Sequence, residues 1–177
     1  MTIHAALALA LMLVPVEPAT AQGVSAHELK AAFVFNFAKF AEWPSLSTGK
    51  AIRMCVFGDD RLATALSQTV HDQTVDGHGL SIARVSPDTI PTSCEVLFLA
   101  GAEQRNFAAL LASAAPLPIL TVSDATHFVR QGGMVELFME NGRMRFAVNV
   151  DTVQRSHVHI SSRLLSLAKI VRDGDAQ

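Results

Sequence analysis

The chain has 177 residues, half of them hydrophobic, and carries fourteen basic against sixteen acidic side chains, for a net charge of −2. That length fits one domain with a substantial core, and so balanced a charge excludes the basic footprint of a nucleic-acid binder. Tyr is absent, Trp occurs once and Phe ten times, an aromatic set suited to burial and poor in the polar-tipped rings that read sugars or bases.

The first residues stand apart. Positions 5–14 are an apolar run with no charge before Glu17; Pro15 and Pro18 follow, then Ala19-Thr20-Ala21. As a helix this run reaches about 15 Å, half the roughly 30 Å hydrocarbon core of a bilayer. It is too short for an anchor, and the small residues Ala19 and Ala21 fit signal peptidase with a cut before Gln22. The expectation is a signal peptide over 1–21 and an exported domain over 22–177. Of the charged residues only Glu17 leaves with the leader. No later stretch reaches eighteen apolar residues, so no direct membrane insertion is expected of the mature chain.

Ser25-x-x-Glu28 is a capping box. It opens a predicted helix over 28–43 that Pro44 stops. Phe33, Phe37 and Phe40 share one face at helical spacing, and Val34 and Phe35 widen it, so most of the girth must be covered. Asn36 and Lys39 interrupt that surface; an amide bonded to backbone and a lysine snorkelling to the rim explain them more simply than a partner contact. Residues 51–57 alternate as a strand, Gly58-Asp59-Asp60 turns, and Asp60 is placed to cap a helix over 61–70. A polar loop over 72–79 leads to a short strand over 80–85, and Pro87 and Pro91 punctuate the next connection. Residues 94–100 are the most apolar run, the pattern of a central strand covered on both faces. A helix over 103–114 follows, then a buried strand over 117–122, and a short helix to Arg130 capped by Ser123 or Asp124. Gly132-Gly133 breaks it. Asn141-Gly142 between two strand-like runs, 134–140 and 143–150, is a strong hairpin signal. A helical turn over 151–156, an extended piece over 158–160 and a last helix carrying Leu164 to Val171 complete the chain.

Strands alternating with helices imply a parallel sheet sandwiched by helices, and the hairpin adds an antiparallel edge. The predicted fold is therefore α/β: a single compact domain with a mixed, mostly parallel sheet flanked by helices, and a C-terminal β-hairpin and helix.

Cys55 and Cys94 are the two cysteines. In an oxidising compartment an even pair reads as one disulfide. Closing a loop of about 40 residues contributes about 4 kcal/mol in the chain-entropy description. Two separate buried thiols are the alternative; a metal pair is a weaker one, since neither Cys has a His or Cys beside it at ligand spacing.

Few residues point to chemistry. Gly58-Asp59-Asp60 occupies the strand-to-helix position of a phosphate loop, but two carboxylates there compete with a phosphate for the helix start; a cap and turn is the simpler reading. Gly132-Gly133 lacks the strand-then-helix context. His71, Asp72, Asp76 and His78 cluster within one loop without a third fixed ligand, and His157 and His159 alternate on an extended stretch; surface positions are the default for both groups. No serine sits in a G-x-S-x-G elbow, and no His-Asp pair stands beside a candidate nucleophile. Neither an enzyme nor a bound cofactor or metal is expected.

The stretch 30–44, KAAFVFNFAKFAEWP, resembles the opening motif of the YfiR-like (YfiR/HmsC-type) family of periplasmic regulators. Further matches follow in order: CVFGD at 55–59, CEVLF at 94–98, ILTVS at 119–123, GGM at 132–134, RMRFAVN at 143–149 and SSRLLSLA at 161–168. The resemblance implies a compact α/β domain in the periplasm, often a homodimer, that holds an inner-membrane diguanylate cyclase inactive. Loss of that hold raises cyclic di-GMP and favours exopolysaccharide and biofilm. The family's first disulfide maps onto Cys55 and Cys94. Its second, across the later hairpin, has no counterpart because no Cys follows Cys94. His157 stands where relatives often have glycine.

A regulator of this kind needs a stable scaffold and a complementary surface. Phe138, Met139, Met144 and Phe146 are the candidate partner-binding residues, of the types that anchor interface cores. Burial against the last helix competes for at least half of them, and alternation forbids Phe138 and Met139 from both pointing inward. The competing class is a periplasmic small-ligand sensor with its cleft at the carboxyl ends of the sheet.

Overall fold

The structure, a computed structural model, describes residues 24–86 and 93–175. The predicted leader over 1–21, with Pro87 and Pro91, lies outside the described residues.

The capping box forms as read: Ser25 Oγ accepts from the Glu28 N–H, and the Glu28 carboxylate accepts from the Ser25 N–H at 2.7 Å. It starts α1 (Ala26–Lys39). The helix ends before the predicted 43 because Ala41–Glu42 peel away as β1 and pair antiparallel with β9 (His159–Ile160). The Ser161 N–H then bonds to the Phe40 carbonyl at 2.9 Å, so that end of the helix is claimed by the ribbon. β2 (Ile52–Phe57) leads through Gly58 at φ +79° to α2 (Asp60–Thr69). Its cap is Asp59, whose Oδ1 accepts from the Leu62 N–H at 2.9 Å, and not Asp60, because the helix begins one residue earlier than expected.

The predicted polar loop over 72–79 is a hairpin. β3 (Thr74–Val75) pairs with the start of β4 (His78–Val85) around Asp76 and Gly77, both at positive φ, the conformation a two-residue turn of this kind requires. β5 (Val96–Leu99) runs into a 3-10 turn, Gly101–Asn106, and then α3 (Phe107–Ala114), so the predicted helix over 103–114 is α-helical only from Phe107. After β6 (Leu120–Ser123), a 3-10 turn over Phe128–Gln131 replaces the expected short helix. Neither predicted cap serves it. Ser123 Oγ donates to the Leu99 carbonyl at 2.6 Å and accepts from the Ala125 N–H, while Asp124 is drawn elsewhere. β7 (Val135–Glu140) and β8 (Arg143–Asn149) form the expected hairpin around Asn141-Gly142.

α4 (Val150–Arg155) and α5 (Ser162–Leu165) close the chain with β10 (Lys169–Val171). The long last helix of the sequence reading is therefore a single turn followed by a strand. Ile170 and Val171 are β-branched and stiff, and they find a parallel partner in β8.

The main sheet has the order β10-β8-β7-β6-β5-β2-β4-β3. Strands β4, β2, β5, β6 and β7 are mutually parallel, an order that reverses between β2 and β5 as in doubly wound folds. β8 runs antiparallel to β7. The expected mixed, mostly parallel sheet is present, and β10 lies outside the hairpin, which is thus internal to the sheet.

Period-two alternation sends each strand's side chains to two cores. Met54, Val56, Phe98 and Val122 pack with Val34 and Phe37 of α1 and with Leu62 and Leu66 of α2. Cys55, Phe57, Leu97 and Leu99 pack on the other face with Phe107, Leu110 and Phe128. β5 and β6 are buried throughout, as the apolar run predicted for β5. Cys55 and Cys94 are joined as a disulfide in the second core, with Cα atoms 5.9 Å apart and both residues buried. The bond ties the middle of β2 to Cys94, two residues before the start of β5. Gly132 turns at φ +93°, and Gly133 leaves room for Phe128, whose ring would lie 2.2 Å from an added Cβ.

Candidate protein-docking site

The ladder between β6 and β7 holds only two register pairs, Val122↔Val135 and Ser123↔Glu136. The ladder between β7 and β8 continues to Glu140↔Arg143. The hairpin therefore runs past the end of β6 as a two-stranded arm about four residues long, on the order of 13 Å.

The four predicted anchors sit on this hairpin in different environments. Leu137 faces Phe146 and Met139 faces Met144 across the ladder, so these four share one face; Phe138, opposite Arg145, is on the other. Phe146 is 6% exposed, with its ring centroid 5.1 Å from that of Phe37 and 6.2 Å from that of Phe33. It belongs to the core. Met144 is partly buried against the same cluster. Phe138 is half-buried, and Met139 is 60% exposed. Phe138 and Met139 point to opposite faces, as strand geometry demands.

Beside the arm lies an open groove of about 460 Å³, lined by Lys30, Asp124, Thr126 and the residues Glu136 to Met139. Its floor is fixed by charge. Lys30 of α1 donates to Asp124 Oδ2, and Asp124 Oδ1 accepts from the Gly101 N–H at 2.7 Å. A Cβ on Gly101 would come within 3.2 Å of Ala125 backbone and of Asp124 Oδ1, so glycine is what lets the carboxylate reach. Glu136 is also engaged, accepting from the N–H groups of His127 and Val129 at 3.2 and 3.3 Å. Sequence reasoning missed Lys30 in this role and gave Asp124 only to a cap. A charge on a helix that must be covered nearly all round was the available signal.

At the switch point between β2 and β5, the chain's own residues close in. A Cβ on Gly58 would fall 2.5 Å from Glu103 Cγ. Asp59 caps α2 and lies 3.6 Å from His27 Nε2, and Asp60 pairs with Arg84 at 3.0 Å.

The histidine clusters are not drawn together. His71 meets Asp72 at 2.9 Å, whereas His78 Nδ1 bonds to the Lys50 carbonyl at 2.7 Å. Among the described residues no group of three or more His, Cys, Asp or Glu converges on a point. His157 occupies a turn at φ +61°, a region that favours glycine, and His159 pairs with Glu42 in the β1–β9 ribbon. Asn36 is exposed, and Lys39 Nζ stands 5.5 Å over the Phe35 ring.

One polar hub went unread in the sequence. Asn149, 2% exposed, accepts from the Asp151 and Thr152 N–H groups to cap α4 and donates to the Val129 carbonyl and to Asp173 Oδ1. Asp173 also accepts from Arg155 at 2.6 Å. The Asn149 hydrogen bond, then that of Arg155, holds the Asp173 carboxyl below its ordinary value.

Fold and site together define a disulfide-bonded, doubly wound α/β domain with a projecting hairpin arm. The chain belongs to the YfiR/HmsC-like family, whose model matches residues 27–169. A solved structure of a conserved domain protein from Vibrio cholerae O1 biovar eltor str. N16961 shares the fold, with a TM-score of 0.54 at 11% identity over 82% of this chain. This chain spans 60% of that one's length. Among the described residues no helix is long and apolar enough to cross a membrane.

Proposed function

We propose that this protein is a periplasmic regulator that binds and represses an inner-membrane diguanylate cyclase, lowering cyclic di-GMP and with it exopolysaccharide and biofilm output. The observation that carries the reading is the family match over residues 27–169. The leader predicted over 1–21 supplies the route to the periplasm, and the buried Cys55–Cys94 bond suits an oxidising compartment. The working form is a homodimer, as the family resemblance implies.

Docking on the periplasmic part of the cyclase falls to the hairpin arm, where Met139 is exposed beside Phe138 and Met144. Phe146, packed on Phe37 and Phe33, anchors the base of the arm in the core. The small-ligand alternative draws less support, because at the switch point between β2 and β5 the chain's own residues close in, with Glu103 Cγ 2.5 Å from where a Cβ on Gly58 would lie.

The test is recovery of the partner. Tagged protein retrieved from detergent-solubilised membranes is expected to bring down a diguanylate cyclase, and Met139→Asp is expected to lose it while keeping the wild-type melting temperature. Retrieval without any cyclase removes the reading.

A further inference from the structure

The arm leaves one edge of β7 unpaired. In a two-residue hairpin the residues flanking the turn form the hydrogen-bonded pair, so Glu140, Phe138 and Glu136 direct their main chains to β8. The Asn149 N–H donating to the Met134 carbonyl at 2.9 Å has the same parity. Met139 therefore turns its N–H and C=O to the opposite side, where β6 has already ended at Ser123. Among the described residues no strand pairs with β7 there beyond Glu136. The groove between Met139 and the Lys30–Asp124 pair continues the track that β6 vacates.

Free strand edges on a protein surface are usually short or guarded by charge. The other two edges of this sheet obey that rule: β3 has two residues, and β10 has three, led by Lys169. The β7 overhang is longer, four residues, with Met139 and Met144 on one face and Phe138 on the other; its charges lie on the Phe138 face, where Glu140 at the tip pairs with Arg145 at 3.8 Å beside Arg143.

We propose that the repressed cyclase docks by strand addition: an extended segment of its periplasmic part enters the groove and pairs with the Met139 edge of β7. The occupant is set by the site. Only another extended main chain offers donors and acceptors at the spacing of a ladder, and alternate apolar side chains of that segment meet Met139 and Met144 on one face and Phe138 on the other. The proposal rests on the docking reading above and specifies its mode.

The experiment uses the mature protein and the cyclase it retrieves from membranes. Hydrogen exchange of the Met139 amide in the wild-type protein is expected to slow at least tenfold in the complex. Met139→Pro removes the outward N–H and spares the bonds to β8, since edge positions tolerate proline; it is expected to weaken binding tenfold or more. Met139→Ala, which keeps the N–H, is expected to weaken it less. Unchanged Met139 exchange in a complex that does form, with Met139→Pro binding within twofold of wild type, overturns strand addition and leaves docking intact. Failure of the wild-type protein to bind any cyclase overturns both. If Met139→Pro does not fold, the exchange rate in the wild-type complex decides alone.

Discussion

Phe146 of β8 rests on Phe37 of α1 with ring centroids 5.1 Å apart, so the base of the hairpin is anchored in the core while its tip stands clear. This separates stability from recognition along one strand pair. Phe146→Ala is expected to cost about 3–5 kcal/mol, the usual result of emptying a buried aromatic site. Met139→Ala, three-fifths exposed, is expected to change stability by less than about 0.5 kcal/mol. Chemical denaturation of both variants checks the contrast; equal losses would contradict it.

The Cys55–Cys94 bond spans 39 positions in sequence. Replacing both residues by Ser is expected to lower stability by about 4 kcal/mol in the chain-entropy description. Because both sulfurs are buried, the native protein is expected to resist mild reductant that reduces the denatured chain. Thiol titration with and without denaturant measures this, and rapid labelling of folded protein would contradict it.

Asp173 connects pH to the C-terminal strand. Its carboxyl lies below the ordinary value of 3.8 because Asn149 and then Arg155 donate to the charged form. A group whose folded pKa is depressed contributes stability that is present above the unfolded pKa and is lost as pH falls through the folded one. Wild type is therefore expected to be more stable than Asp173→Asn at pH 7, with the gap closing below about pH 4. Urea midpoints for the two proteins at pH 7 and pH 3 test the sign; a gap that widens in acid would contradict it.

Gly132 and Gly133 are adjacent but serve different ends. Gly132 supplies a positive φ, while Gly133 yields space to the Phe128 ring. Gly133→Ala is expected to cost about 1–3 kcal/mol through overpacking, and Phe128→Leu in the same chain is expected to recover part of it. Thermal melts of the single and double variants report the coupling.

Most of the fold was legible because local rules and global packing agree. The Ser25 capping box, the Asn141-Gly142 turn and the apolar run at β5 each name their element without tertiary help. The misread elements are those decided at a distance. Ala41–Glu42 leave the helix because His159–Ile160 pair with them. Lys169–Val171 read as the tail of an apolar helix until β8 offers them a parallel neighbour. The Asp76-Gly77 hairpin was hidden by the polar residues around it. At the candidate site, alternation correctly split Phe138 from Met139, but nothing in the sequence gives the length of the β6–β7 ladder, which decides how far the arm projects. The Lys30–Asp124 pair joins residues far apart in the chain and was equally invisible.

Repression of a diguanylate cyclase is read most directly in cyclic di-GMP itself. Its concentration is to be measured in cells lacking this protein, with and without the membrane cyclase that the protein retrieves. A rise is expected on deletion, and it is expected to disappear when the cyclase is removed as well. An unchanged concentration in the single deletion would contradict it.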